Sequence, residues 1–210
     1  MSNLGFLRGD VFEVDLPLRS FALVYADPPY AGCRAVYARR NNSRQWGINP
    51  RADFMRDLIA RMDSLRSPDG VCALSMGSGE LKLMHLFPSS VRVFAWVKNT
   101  AAPRPGIWPT FAWEPLVVWG KLPGKEEQRA VGKTPNDWAQ FSSARSADIQ
   151  HETPKPVAFA EWVISVTLGP RRGRVCELFA GTAPISRSAV PMGMEAIAVD
   201  LTDYLSRETA

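Results

Sequence analysis

The sequence predicts an α/β fold, and three observations carry that prediction. Short apolar runs such as Phe21-Ala22-Leu23-Val24-Tyr25-Ala26 break off at turn residues, as buried strands do. Phe54, Leu58, Met62 and Leu65, with Met55 and Ile59 beside them, repeat at helical spacing. Near the end of the chain a strand, a small-residue turn, a helix, a second strand and an acidic residue follow one another, the succession that builds nucleoside sites in open sheets.

Taken in order, Gly9 to Val14 pairs a polar turn with alternating apolar residues and predicts a short strand. The strand over 21–26 follows and closes on Asp27-Pro28-Pro29-Tyr30. Residues 31–48 are polar and arginine-rich without periodicity, which predicts a long loop. Asn49-Pro50 opens a helix with proline at its first position, and Ser67-Pro68-Asp69-Gly70 ends it. A strand over Val71 to Ser75 and a short helix over Gly79 to Phe87 come next. Strands over Val91 to Val97 and Phe111 to Trp119, separated by the proline-rich loop 100–110, read as a hairpin-like pair. Residues 120–150 show no sustained pattern and read as a polar insert. A helix over Pro156 to Leu168, stopped by Gly169-Pro170, leads into the strand over Val175 to Phe179. Ala180-Gly181-Thr182 turns into a short helix over Ile185 to Val190, and Ala196 to Val199 is the last strand, ending at Asp200.

Composition bounds the class. A chain of 210 residues, 46% hydrophobic and 22% charged, fits one domain over 1–210 that buries its core without disulfides. Three cysteines far apart and two histidines are a poor basis for a disulfide framework or a structural zinc site, so no metal is expected. No apolar run approaches membrane-spanning length and no apolar signal core opens the chain. The expectation is a cytoplasmic protein with no membrane partner. A net charge of +4 says little, but residues 31–66 hold eight arginines against three aspartates, and this excess starts directly after Tyr30.

Asp27 to Tyr30 combines an acidic acceptor, a stiff two-proline turn and an aromatic face at a strand end, a combination that suits a planar base bearing an amino group. A plain strand-ending turn is the alternative for those four residues alone. The turn over Phe179-Ala180-Gly181-Thr182 lets a ligand approach the backbone, and Asp200 can accept from ribose hydroxyls. The Gly-x-Gly-x-x-Gly fingerprint and the Walker lysine motif are both absent, which argues against NAD, FAD and nucleoside triphosphates.

Asp27-Pro28-Pro29-Tyr30, then His151-x-Thr153-x-Lys155-Pro156 before a helix, then Glu177-x-Phe179-x-Gly181-Thr182, resemble the amino-methyltransferases of nucleic acids. Their order resembles the circularly permuted β class, which includes bacterial and phage DNA adenine-N6 enzymes and is related to the adenine-N6 RNA methyltransferases. The resemblance implies S-adenosylmethionine as methyl donor and a Rossmann-like sheet with helices on both faces. It places Asp27, Pro28, Pro29 and Tyr30 at the reacting amine. Asp10, Val11, Asp27, Lys155, Glu177, Phe179, Ala180, Gly181, Thr182 and Asp200 fall at the cofactor, with Asp10 and Asp200 as spatial neighbours across the chain ends. Lys155 as a plain surface lysine and Glu177 as a carboxylate holding nearby backbone N–H groups are the readings without function. Tyr30, Arg39, Arg40, Arg44 and Trp46 are the candidates for DNA contact, with plain solvated loop arginines as the alternative.

Two departures stand out. Ala183, followed by Pro184, occupies the place of a second glycine found in many members, and only residues 120–150 stand where DNA members carry a sizeable target-recognition domain. Relaxed recognition, a second copy, a partner subunit or reading by the loops at 31–48 and 100–110 would each answer the second departure. Cytosine-N4 transfer, RNA as substrate and a catalytically silent nucleic-acid-binding subunit are the rival functions.

Overall fold

The structure is a computed structural model that describes residues 3–29, 50–99, 108–132, 134–142 and 155–202. Its strands are β1 (Leu4–Arg8), β2 (Phe21–Ala26), β3 (Arg66–Ser75), β4 (Arg92–Lys98), β5 (Trp113–Gly120), β6 (Trp138–Phe141), β7 (Val175–Leu178) and β8 (Ala196–Asp200). The α-helices are α1 (Pro50–Leu65), α2 (Lys125–Val131), α3 (Val157–Leu168) and α4 (Pro184–Ala189), with 3-10 turns at Ser78–Leu86 and Val190–Met192.

The strands form one sheet in the order β1-β8-β7-β2-β3-β5-β4-β6. Among the described strands β5 alone runs against the rest, pairing antiparallel with both β3 and β4. From β7 the chain moves outward to β8, and from β2 it moves outward the other way to β3, so the connections diverge between β7 and β2. Parallel sheets bind ligands outside the carboxyl ends of strands at such a switch point.

The central strands are buried on both faces, which is why they read as continuous apolar runs. Phe21, Val24 and Ala26 of β2 face a core shared with α1, whereas Leu23 and Tyr25 face a core shared with α3 and α4. Helix α1 buries its whole predicted stripe, from Phe54 to Leu65. Each such side chain contributes about 1.5–3 kcal/mol, enough for the stripe to fix the helix against the sheet. Helix α3 is apolar almost all round and ends at Gly169, whose φ of 57° few other residues adopt readily.

Three expectations need correction. The strand predicted over Gly9 to Val14 is a turn, and the strand lies just before it at Leu4–Arg8. Asp10 creates that turn, because its Oδ1 accepts the Phe12 N–H at 3.0 Å and its carbonyl accepts from Glu13 and Val14. Residues 67–70, expected as a helix-ending turn, already belong to β3, which starts at Arg66. The stretch 120–150 is not patternless where it is described: it holds α2 and the edge strand β6, parallel to β4.

Candidate active site at the carboxyl edge of the sheet

Asp27 leaves β2 beside the end of β7, its N–H donating to the Leu178 carbonyl at 3.4 Å. Pro28 behind it is buried and Pro29 half-buried, and neither ring nitrogen can donate to the carboxylate. The charged partner comes from far along the chain. Lys155 precedes Pro156, and a residue before proline is held extended, so its side chain reaches over the sheet end rather than along α3. Its Nζ lies 3.3 Å from Asp27 Oδ2 and 2.7 Å from Glu114 Oε2. Glu114 Oε1 forms a close ion pair with Lys98.

These four groups rest on an aromatic floor. Lys98 and Lys155 lie 4.9 and 5.2 Å from the centre of the Trp96 ring, and Lys155 lies 5.7 Å from that of Phe159. Trp96 packs on Phe159 at 4.9 Å and is pinned by an Nε1–H donation to the Phe141 carbonyl at 3.3 Å. Tyr25 packs edge-on against Phe159 and shares a 2.8 Å hydrogen bond with Ser75. Burial, with the Asp27 charge adding to it, pushes the Tyr25 phenol well above its ordinary value.

Burial by itself would raise the Glu114 carboxyl, yet the Lys155 and Lys98 ammonium groups outweigh it and bring the pKa down to about 2. Burial likewise works to lower Lys155, and the charges of Asp27 and Glu114 overcome it and hold the ammonium above its ordinary value. The cluster is an alternating line of basic and acidic side chains: Lys98, Glu114, Lys155, Asp27.

The neighbouring half of the edge is built from backbone. Glu177, on β7 and 1% exposed, accepts the Ile185 N–H at 3.1 Å and the Ser186 N–H at 2.7 Å, fastening the start of α4. Burial raises its carboxyl to about 7 against the lowering effect of those bonds. Between β7 and α4 the turn carries left-handed φ values at Phe179 (56°), Gly181 (52°) and Ala183 (52°). Ala183 thus takes the conformation that glycine enters freely, a strain of about 1–3 kcal/mol, and Pro184 begins α4 at the position where its missing N–H costs nothing.

The chain ends meet as predicted. β1 pairs with β8 in parallel, Arg8 opposite Asp200, and the Gly9 N–H donates to the Asp200 carbonyl at 3.0 Å. The Asp200 side chain accepts the Gly181 N–H at 3.0 Å and the Thr202 N–H at 2.9 Å, tying the β8 end to the turn after β7. Arg61 of α1 donates to the Val11 and Val14 carbonyls at 3.1 and 2.6 Å and holds the Asp10 turn against the sheet. Phe12, Phe54 and Phe179 pack in a row, centres 5.8 and 6.1 Å apart, between that turn and the one after β7.

Of the predicted site residues, Asp27 and Lys155 are in contact, and Glu177, Gly181 and Asp200 share one hydrogen-bonded corner with the segment carrying Asp10. Ala180 and Thr182 are buried in the same turn, and Val11 is a core side chain rather than an exposed one. Tyr30, Arg39, Arg40, Arg44, Trp46, His151 and Thr153 lie outside the described residues. Sequence reasoning assigned no role to Glu114, Lys98 or Arg61. For the first two a signal existed: a charge inside an apolar strand needs a buried partner.

No family model and no curated protein matches the sequence, whereas solved structures match the fold. The PvuII DNA methyltransferase (cytosine-N4-specific) superposes with a TM-score of 0.75 at 17% identity, over 99% of this chain and 86% of that one. The chain shares its fold with that enzyme. M1.HpyAVI in its S-adenosylmethionine complex gives 0.64 at 18% identity over 99% and 100% of the two chains. TTHA0409 from Thermus thermophilus, complexed with S-adenosyl-L-methionine, gives 0.60 at 19% identity over 97% and 90%. The methyltransferase fold thus accounts for a sheet with helices on both faces. Among the described residues no helix is long and apolar enough to cross a membrane.

Proposed function

We propose that the chain transfers a methyl group from S-adenosylmethionine to an exocyclic base amine of DNA, the N6 of adenine as the first reading. One observation carries this: the Asp27-Pro28-Pro29 turn and the 179–183 turn leave adjacent parallel strands at the switch point, joined by the Asp27–Leu178 hydrogen bond.

The corner at Asp10, Phe179 to Ala183 and Asp200 fits the cofactor. Asp200 is fixed by two backbone N–H groups, and each oxygen retains a lone pair for a ribose hydroxyl. The Phe12–Phe54–Phe179 row offers an apolar wall for a purine, and the carboxylates nearby suit a ligand of net positive charge. When bound, S-adenosylmethionine supplies an electrophilic methyl group.

Asp27 acts on the acceptor. The lone pair of an exocyclic amine is delocalised into the base ring; accepting its hydrogens at the Asp27 carboxylate and the Pro28 carbonyl lets the nitrogen pyramidalise and direct that pair at the methyl carbon. A donor held at that corner would give up its methyl group to this nitrogen with the C–S electron pair staying on sulfur, and Asp27 would pass the amine proton to solvent. Lys155 sets its positive charge against Asp27 for this task. Positioning and charge placement carry the rate, with no covalent enzyme intermediate. Tyr30 stacks on the target base, and Arg39, Arg40, Arg44 and Trp46 contact phosphates and bases. The basic loop 31–48 and the 120–150 stretch stand in for a full recognition domain, so sequence recognition is relaxed or shared with a second copy or partner subunit.

Cytosine-N4 transfer is the second reading. The PvuII enzyme is named for that specificity, and the same acceptor pair serves either amine. Aspartate at position 27 favours adenine, since the resembling cytosine-N4 enzymes more often carry serine there. Nucleoside mass spectrometry of DNA and RNA from cells expressing the protein separates the readings. N6-methyladenine in DNA is expected, N4-methylcytosine would move the assignment to the second reading, and no methylated base in either nucleic acid would overturn the function.

A further inference from the structure

We propose that Glu114, anchored by Lys98, is a positioning residue that fixes the Lys155 ammonium against Asp27 during methyl transfer. The inference rests on the function proposed above and deepens its account of the reacting side.

The two prolines after Asp27 supply no N–H to orient its carboxylate, and Lys155 is a cation that reaches it. A lysine is a point charge on a flexible four-carbon stem, so its usefulness at 3.3 Å depends on what holds the stem. Glu114 does so at 2.7 Å, the shorter of the two contacts, while Trp96 and Phe159 confine the ammonium from below. Glu114 is held in turn at its other oxygen by Lys98, from the register neighbour strand β4. The order of attachment runs from the rigid sheet outward: Lys98 and Glu114 on paired strands, then Lys155, then the acceptor. Without Glu114 the ammonium would have Asp27 as its carboxylate partner in this line, and the carboxylate that must meet the amine would also have to hold the lysine.

Among the described residues, the charged and titratable groups around Lys155 include Asp27 from the end of β2, Glu114 from β5, Lys98 from β4 and Tyr25 from β2, with Glu177 of β7 facing Asp27. Two negative charges flank the ammonium and favour its protonated form. Removing one of them makes the ammonium easier to deprotonate, so the loss of activity on the alkaline side moves to lower pH.

Glu114→Gln tests this through kinetics and through lysine side-chain NMR on nitrogen-15-labelled protein without cofactor. The expected result is a fall in kcat of about tenfold to a hundredfold, with the KM for S-adenosylmethionine within about twofold of wild type. The alkaline limb shifts down, and the Lys155 ammonium signal disappears at lower pH than in wild type. Glu114→Asp restores part of kcat. Lys98→Met, on a more exposed side chain, reads the same role with a smaller loss and serves if Glu114→Gln does not fold. Wild-type protein that methylates no nucleic acid would contradict the proposed function itself. Active wild type, with folded variants that keep its kcat, its alkaline limb and its Lys155 signal, would overturn the positioning role.

Discussion

Glu114 on β5, half-buried, and Glu177 on β7, buried, lie within the carboxyl half of one sheet, and the protein drives them in opposite directions. Glu114 lies between two ammonium groups and falls to about 2, whereas Glu177 is met by two backbone N–H groups at the start of α4 and rises to about 7. Both lose water. The difference is that a full positive charge offsets the loss and the partial charges at a helix of six residues do not. The ion-paired half of the edge thus keeps Glu114 ionised, while the neighbouring half uses a carboxyl group as a bracket for the turn that carries Gly181.

Breaking the ion-paired half has the largest expected effect. Lys155→Met deprives both Asp27 and Glu114 of an ammonium partner, and should lower unfolding stability by about 3–5 kcal/mol, measured by urea titration at neutral pH. A loss below about 1 kcal/mol would mean that the network behaves as a solvated surface pair.

The bracket gives a smaller effect with its own pH signature. Glu177→Gln replaces one of two acceptor oxygens by an NH2 group facing a backbone N–H, at a cost of about 1–3 kcal/mol. The folded-state value of Glu177 lies above its unfolded one. Its contribution is therefore full below about pH 4.5 and is lost as pH rises through about 7. The cost of Glu177→Gln should be greatest near about pH 4.5 and shrink towards about pH 8. Glu114 has the reverse sign: its contribution is present above about pH 4.5 and is lost as pH falls towards about 2. Urea midpoints of wild type and Glu177→Gln across this range check both slopes.

The two halves also differed in how far the sequence revealed them. The Asp27-Pro28-Pro29 turn, the glycine turn after β7 and the helix stripe of α1 follow from local pattern, because apolar runs and turn residues encode them directly, whereas the nearness of Asp10 to Asp200 was implied by the family resemblance alone. β1 escaped notice because it is an edge strand, half-exposed in pattern, and the alternation just after it belongs to an Asp10 turn. α2 buries no residue and β6 has four, so neither leaves a periodic trace. The Lys98–Glu114–Lys155–Asp27 line joins residues up to 128 positions apart through strand register and one extended residue before a proline, and no spacing in the chain encodes that. Glu114 is the single charge of an otherwise apolar strand.

The acceptor role of Asp27 is tested most directly by single-turnover methyl transfer with the Asp27→Ala protein, S-adenosylmethionine binding being followed by calorimetry in the same preparation. Lys155 keeps Glu114 as a partner in that variant, so the fold and cofactor binding should persist while transfer falls by about a hundredfold to a thousandfold. Transfer at the wild-type rate by Asp27→Ala would contradict it.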